Sequence, residues 1–205
     1  MFFSSPPWES VTYWSLDIET GGLDPRRDPI IALGMLPVRG GVIRLGEAYR
    51  TLVRPEQGRE IRPETVPAHQ LVRDEVAQAP PLPEVLEQVD GRIRQGALLV
   101  HHRAIDVGFL KAAFARHGRR WPRPPVVDTV ELLLDLDRRR RFTTPDRTGQ
   151  EPSVNLTEAR RRHGLPDYQA HDALTDAIAT AELFLYLRQA LHARTLRQLR
   201  TRRYG

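Results

Sequence analysis

Three strand-length apolar runs are crowded into the first 53 residues: Val11 to Ile18, Ile30 to Val38 and Val42 to Val53, the last two separated only by Arg39-Gly40-Gly41. A parallel return between strands needs a crossover of a dozen or more residues, so short turns leave an antiparallel meander. Farther along, Gly96 to Val100 (GALLV) is a continuous apolar run, as a strand buried on both faces requires, and a helix follows at once. Val126 and Val127 make one more short strand. A meander that hands over to strand-helix-strand-helix-helix predicts an α/β fold: a mixed sheet of five strands, three antiparallel and then two parallel, with helices on both faces.

The helices announce themselves by period and by their ends. Val85, Leu86, Val89 and Ile93 share one helical stripe, as do Phe109, Leu110, Ala113 and Phe114, and Gly118 stands where a C′ glycine ends the second helix. Helical TVELLLDLD gives way to DRRRRFTTPDRTGQEPS, a charge run that reads as an exposed loop. Asn155, Glu158 and Gly164 mark both ends of a further helix, and Asp172 caps the last one, which begins near Ala173. No repeat or linker interrupts the chain. One domain over residues 1–205 is predicted, with a core of about 11–190 and a basic tail over 188–205.

The first strand ends in an unusual way. In WSLDIETGGL, Asp17 and Glu19 are spaced i, i+2, so both project from one face while Leu16 and Ile18 face the other layer. Two like charges in a partly buried place raise each other's pKa unless something positive sits between them, and a divalent cation would serve. The alternative is a strand that simply ends in water. Asp106 opens an apolar helix, where an acid also suits the macrodipole. Asp176 lies in ALTDAIATAELFLYL, a helix apolar on almost every side, and a buried acid needs a partner or a metal. His171, five residues before it, falls just outside that helix, either as a surface residue or as a group able to exchange a proton near neutral pH.

Charge points to a polyanionic partner. Of 31 lysines and arginines only Lys111 is lysine, against 26 acids, for a net charge of +5. Arginine pairs bidentately with phosphate and stacks on bases. With no cysteine there are no disulfides or thiolate metal sites, which suits a reducing compartment, and no run of eighteen apolar residues occurs. The expectation is a soluble cytoplasmic protein with no membrane association.

Taken in order, LDIETGGLDP, LLVHHRAIDVGFL and HDALTDAIATAELFL resemble the three motifs of the DEDDh family of 3′–5′ exonucleases, the DnaQ-like group that includes the proofreading epsilon subunit of bacterial DNA polymerase III. The resemblance spans Ser15 to Leu187 and includes the connecting segments VVDTVELL and NLTEARRRHGLP. It implies a ribonuclease H-like fold, with Asp17, Glu19, Asp106 and Asp176 as metal ligands and His171 as general base. It further implies two Mg²⁺ or Mn²⁺ ions, hard cations that favour carboxylate oxygen, flanking the attacking and leaving oxygens of a phosphodiester. Asp17 would bridge both ions, Glu19 and Asp176 would complete the nucleophile side, and Asp106 would serve the other.

By the same resemblance, Thr20, Gly21, Gly22 and Leu23 would approach the terminal nucleotide, glycine allowing close contact and Leu23 wedging against the last base. The sequence departs from the pattern at His102, where the family usually has asparagine, at Ile105, usually aromatic, and at Gly21, where Thr-Thr-Gly becomes Thr-Gly-Gly. Arg138, Arg139, Arg140 and Arg141, with Phe142 and Arg147, form the best candidate for tracking the phosphate backbone. The implied activity is release of nucleoside monophosphates from the 3′ end of DNA, single-stranded. RNA as substrate, as in ribonuclease T and oligoribonuclease, and a non-catalytic nucleic-acid-binding module are the rival readings. No polymerase-holding segment follows the motifs, so a stand-alone repair or processing nuclease is expected rather than a polymerase-associated one.

Overall fold

The computed structural model describes residues 5–59, 61, 73–143 and 153–201. Six strands form one sheet: β1 (Tyr13–Thr20), β2 (Ile30–Arg39), β3 (Val42–Ile43), β4 (Tyr49–Leu52), β5 (Ala97–Val100) and β6 (Val126–Asp128). Their order is β3-β2-β1-β5-β6, with β4 also pairing β2. β1 runs antiparallel to β2 and parallel to β5, and β5 runs parallel to β6. The helices are α1 (Arg73–Ala77), α2 (Leu82–Ile93), α3 (Arg103–Arg116), α4 (Thr129–Thr143), α5 (Leu156–Arg162), α6 (Ala173–Ala190) and α7 (Leu196–Leu199). None in the described residues is long and apolar enough to cross a membrane.

The meander and the parallel half stand as read, with one correction. The run Val42 to Val53 is two strands on the same edge of β2, parted by a 3₁₀ turn at Leu45–Glu47. Pro37 causes the break. Its carbonyl accepts the Arg44 amide at 3.0 Å, but it has no N–H to return, so the ladder stops there and resumes at Met35 and Tyr49.

Strand alternation divides the core between the two faces. Trp14, Leu16, Ile18, Leu98 and Val100 pack with Val85, Leu86 and Val89 of α2 and Phe109 and Phe114 of α3. Tyr13, Ala97, Leu99 and Val127 pack with Leu132 and Leu136 of α4 and Leu183, Phe184 and Leu187 of α6. Helix ends follow their sequence signals. Gly118 takes φ +64° after α3, letting the Arg119 amide reach Phe114 O at 2.8 Å; Asn155 and Asp172 accept the Glu158 and Thr175 amides as N-caps.

A second correction concerns the arginine run. Arg138 to Arg141 belong to the last turns of α4 rather than to a loop. Arginine is a good helix former, and here i, i+3 and i, i+4 pairs reinforce it: Arg138 and Arg139 with Asp135, Arg141 with Asp137.

Candidate active site

β1 is flanked on both sides, and its two faces meet different layers. On the face that carries Tyr13 and Ser15, the Tyr13 ring lies 4.7 Å from Phe184 and Ser15 Oγ donates to Ala177 O at 2.7 Å, both on α6. Asp17 and Glu19 continue that face toward the α6 N-terminus, and a β-bulge at Glu19 and Thr20 ends the regular ladder. Directly across the ladder from Asp17 is Gly34. A Cβ there would lie 2.3 Å from Leu174 N and 2.4 Å from Ala173 C, so α6 reaches the sheet only because residue 34 has no side chain. This close approach sets Asp176 beside the strand acids.

Asp176 is held by its own helix entry. Its Oδ2 accepts the His171 amide at 2.9 Å, and His171 takes φ +70° in the turn before Asp172. Arg50 on β4 pairs with Asp172, tying that turn to the sheet. Buried Arg160 braces the preceding segment: its guanidinium donates to Ala179 O at 2.8 Å and Pro166 O at 3.0 Å and sits 5.0 Å from the Tyr168 ring. Asp106 arrives from the first turn of α3, behind His102 at φ +68°.

Ligand oxygens of Asp17, Glu19 and Asp176 all lie within 4.8 Å of one another. Together with Asp106, His101, His102, Ile105, Asn155, Thr157, Tyr168 and His171 they line a cleft of about 280 Å³. Glu19 and His171 also border an adjoining cleft of about 470 Å³ that contains Arg50 and Asp172. Burial above all, then the charges of Asp106, Asp176 and Glu19, hold the Asp17 carboxyl well above the usual carboxylate range. Burial likewise raises Asp106, with Asp128 and Glu19 adding to the push while the amides of Asp106 and Ile18 oppose it. Asp176 is raised by burial and by Glu19, and drawn back by the Tyr168 hydroxyl and the His171 amide. Desolvated carboxylates this close need protons or a cation between them. An all-oxygen donor set of this kind fits a hard divalent ion.

The remaining candidates are spread more widely. Thr20 Oγ1 donates to Gly22 O at 2.6 Å, and Gly21 packs tightly on Pro29, leaving Leu23 82% exposed at the loop tip. His102 faces the cleft. His101 is structural: Nε2–H donates to Val154 O and Nδ1 accepts from Thr129 Oγ1, both at 2.7 Å. The arginine run lies far off, since Arg139 reaches Leu191 O, fifteen residues beyond Asp176 and so about 22 Å along the α6 axis. Arg147 and the Phe142 side chain lie outside the described residues. Sequence reasoning missed Gly34, Arg50, Asp128 and Tyr168; for Asp128 the available signal was an acid directly ending an apolar strand.

A meander handing over to parallel strands, with carboxylates gathered over the central strand, is the ribonuclease H-like arrangement. The model of the exonuclease family RNase_T matches residues 15–184. The chain belongs to that family, as a DnaQ-like 3′–5′ exonuclease domain. It is similar to the epsilon-like protein of DNA polymerase III from Rhodobacter capsulatus, 33% identical over 194 residues, 93% of this chain and 25% of the relative. It is also similar to the PolC-type DNA polymerase III of Thermotoga petrophila, 29% identical over 179 residues, 87% of this chain and 12% of that one. The chain thus spans a quarter or less of these relatives. E. coli exonuclease I, solved with a dT13 oligonucleotide, shares the fold with a TM-score of 0.76 at 16% identity, over 89% of this chain and 42% of its own.

Proposed function

We propose that this chain shortens DNA from the 3′ end, releasing nucleoside monophosphates from single strands by hydrolysis that depends on two divalent cations, Mg²⁺ or Mn²⁺. The observation that carries this reading is the convergence of Asp17, Glu19, Asp106, Asp176 and His171 on one cleft. DNA rather than RNA is favoured by the polymerase III relatives. Unpaired bases are favoured by the exposed apolar side chains of Leu23 and Ile105, surfaces on which a base can stack.

Bound divalent ions would neutralise the phosphodiester oxygens and lower the pKa of the attacking water. Asp17, in the middle of the cluster, would touch both ions; Glu19 and Asp176 would hold the one on the nucleophile side and Asp106 the other. His171, on the rim and outside the helix, would take the water's proton. The hydroxyl then joins phosphorus as the P–O3′ bond breaks, and a proton returns to the departing 3′ oxygen. Thr20 to Leu23 would receive the terminal nucleotide and His102 the polar edge of the substrate.

The test is a time course on 5′-labelled single-stranded DNA and RNA of equal sequence with Mg²⁺ or Mn²⁺, beside EDTA and Asp17→Ala controls. A metal-dependent ladder shortening from the 3′ end, faster on DNA, is expected. Faster RNA loss would reassign the substrate. Salt-sensitive binding with no cleavage would make the chain a binding module.

A further inference from the structure

Asp128 ends β6 with only 4% of its surface exposed, and the proposed reaction gives it no task. Its carboxylate accepts three main-chain amides: His102 N at 3.1 Å and Val130 N at 3.0 Å on Oδ1, and Arg103 N at 3.0 Å on Oδ2. The Val130 bond is local, closing the start of α4. The other two cross to a different strand end and hold the first residues of α3. Those amides have no partner inside the helix, so whatever accepts them fixes where the helix begins.

The neighbours of Asp128 grip the same turn. Thr129 meets His101 Nδ1 at 2.7 Å, and Glu131 pairs with Arg103 at 3.2 Å. Residues 101 to 103 are therefore clamped by 128 to 131 through side chains as well as amides. Between the clamped points His102 sits in the left-handed region, a conformation that costs a non-glycine residue about 1–3 kcal/mol and persists only where its surroundings impose it. Asp106 lies three residues beyond Arg103, within the first turn of the helix so anchored.

We propose that Asp128 is a positioning residue for Asp106: by pinning the His102 and Arg103 amides it sets the start of α3, and with it the side of the metal cluster that Asp106 supplies. The inference rests on the metal-cluster reading above. Asparagine at 128 is nearly isosteric but keeps one acceptor oxygen and turns an NH₂ toward the remaining amide, so it cannot hold both ends of the clamp.

The experiment is calorimetric titration of the full, metal-free chain with Mn²⁺, followed by melting of the same samples. Wild type is expected to take up two ions. Asp106→Ala should lose the ion that Asp106 holds, and Asp128→Asn should lose affinity for that same ion by about ten- to hundredfold, as supporting residues of metal ligands do. The double variant should lose no more than Asp106→Ala alone. Val89→Ala, a core truncation in α2, should melt earlier yet bind two ions. Should Asp128→Asn fail to fold, His102→Gly added to it relieves the left-handed residue and should restore both the fold and part of the lost affinity. The inference is overturned if Asp128→Asn binds both ions as wild type does, if Val89→Ala loses the same ion, or if the glycine variant regains its melting temperature but not the ion. A wild type that binds no Mn²⁺ refutes the metal reading itself, and this inference with it.

Discussion

Gly34→Ala is the sharpest probe of how the fold builds the site. The added methyl would meet Leu174 N at 2.3 Å and both Ala173 C and Leu174 Cα at 2.4 Å, where ordinary contact begins at 3.4 Å. All three atoms are backbone, so no rotamer change relieves the clash and the α6 entry must retreat by about 1 Å. Asp176 lies two residues farther on and moves with it, whereas metal coordination tolerates errors of about 0.2 Å. A displacement of that size near reacting groups lowers turnover by about 10²-fold. Overpacking should also destabilise by roughly 1–3 kcal/mol, which at this chain length lowers the melting temperature by about 2–4 °C per kcal/mol. The assay pairs 3′-end digestion of labelled DNA with Mn²⁺ titration and a thermal melt. Gly91→Ala is the control: its Cβ would meet nothing within 4 Å, so it should gain up to about 1 kcal/mol and leave digestion unchanged. Full turnover and unaltered Mn²⁺ affinity in Gly34→Ala would refute the claim that this glycine places the helix.

Asp17→Ala should abolish digestion while the metal-free protein melts no lower than wild type, since the variant relieves repulsion among buried carboxylates; residual wild-type digestion would remove Asp17 from the mechanism. His171→Ala should slow digestion by about 10²- to 10⁴-fold with Mn²⁺ affinity retained, and an unchanged rate would exclude it as the base. His101 predicts an acid limb in stability. Burial first, then the nearby His102, lowers its pKa to about 4, so the unfolded chain takes up a proton near pH 6.5 before the folded one does. Its contribution is therefore complete above pH 6.5 and is lost as pH falls from there toward 4. Between pH 7 and 5 this amounts to about 2 kcal/mol. Urea titrations at the two pH values should show that much less acid sensitivity in His101→Gln; an equal drop in both proteins would refute it.

What the sequence made legible was whatever depends on neighbours in the chain. The i, i+2 acids of β1, the caps Asn155 and Asp172 and the C′ glycine Gly118 are local signals, and each stands in the structure as read. Less legible was the break in the third strand, because a missing N–H at Pro37 matters only once its partner edge is known. The arginine run reads as a loop by its charge, which masks its helix propensity and the spacing of Asp135 and Asp137 behind it. Asp128 and Gly34 act across the sheet and leave no pattern along the chain. His101, one of two adjacent histidines with no signal of its own along the chain, is structural through contacts 28 and 53 residues away.

The laying of α6 over β1 also sets the order of events during synthesis. Ser15 and Ala177, bonded to each other, stand 162 residues apart, and Asp176 belongs to that same late contact. A nascent or truncated chain ending before α6 would carry Asp17, Glu19 and Asp106 but not the carboxylate that closes their cluster. Pairings so distant in sequence form late and slowly. On the proposed reading, tight Mn²⁺ uptake would double as a readout of completed folding, and a chain caught half-made would be harmless to the nucleic acid around it.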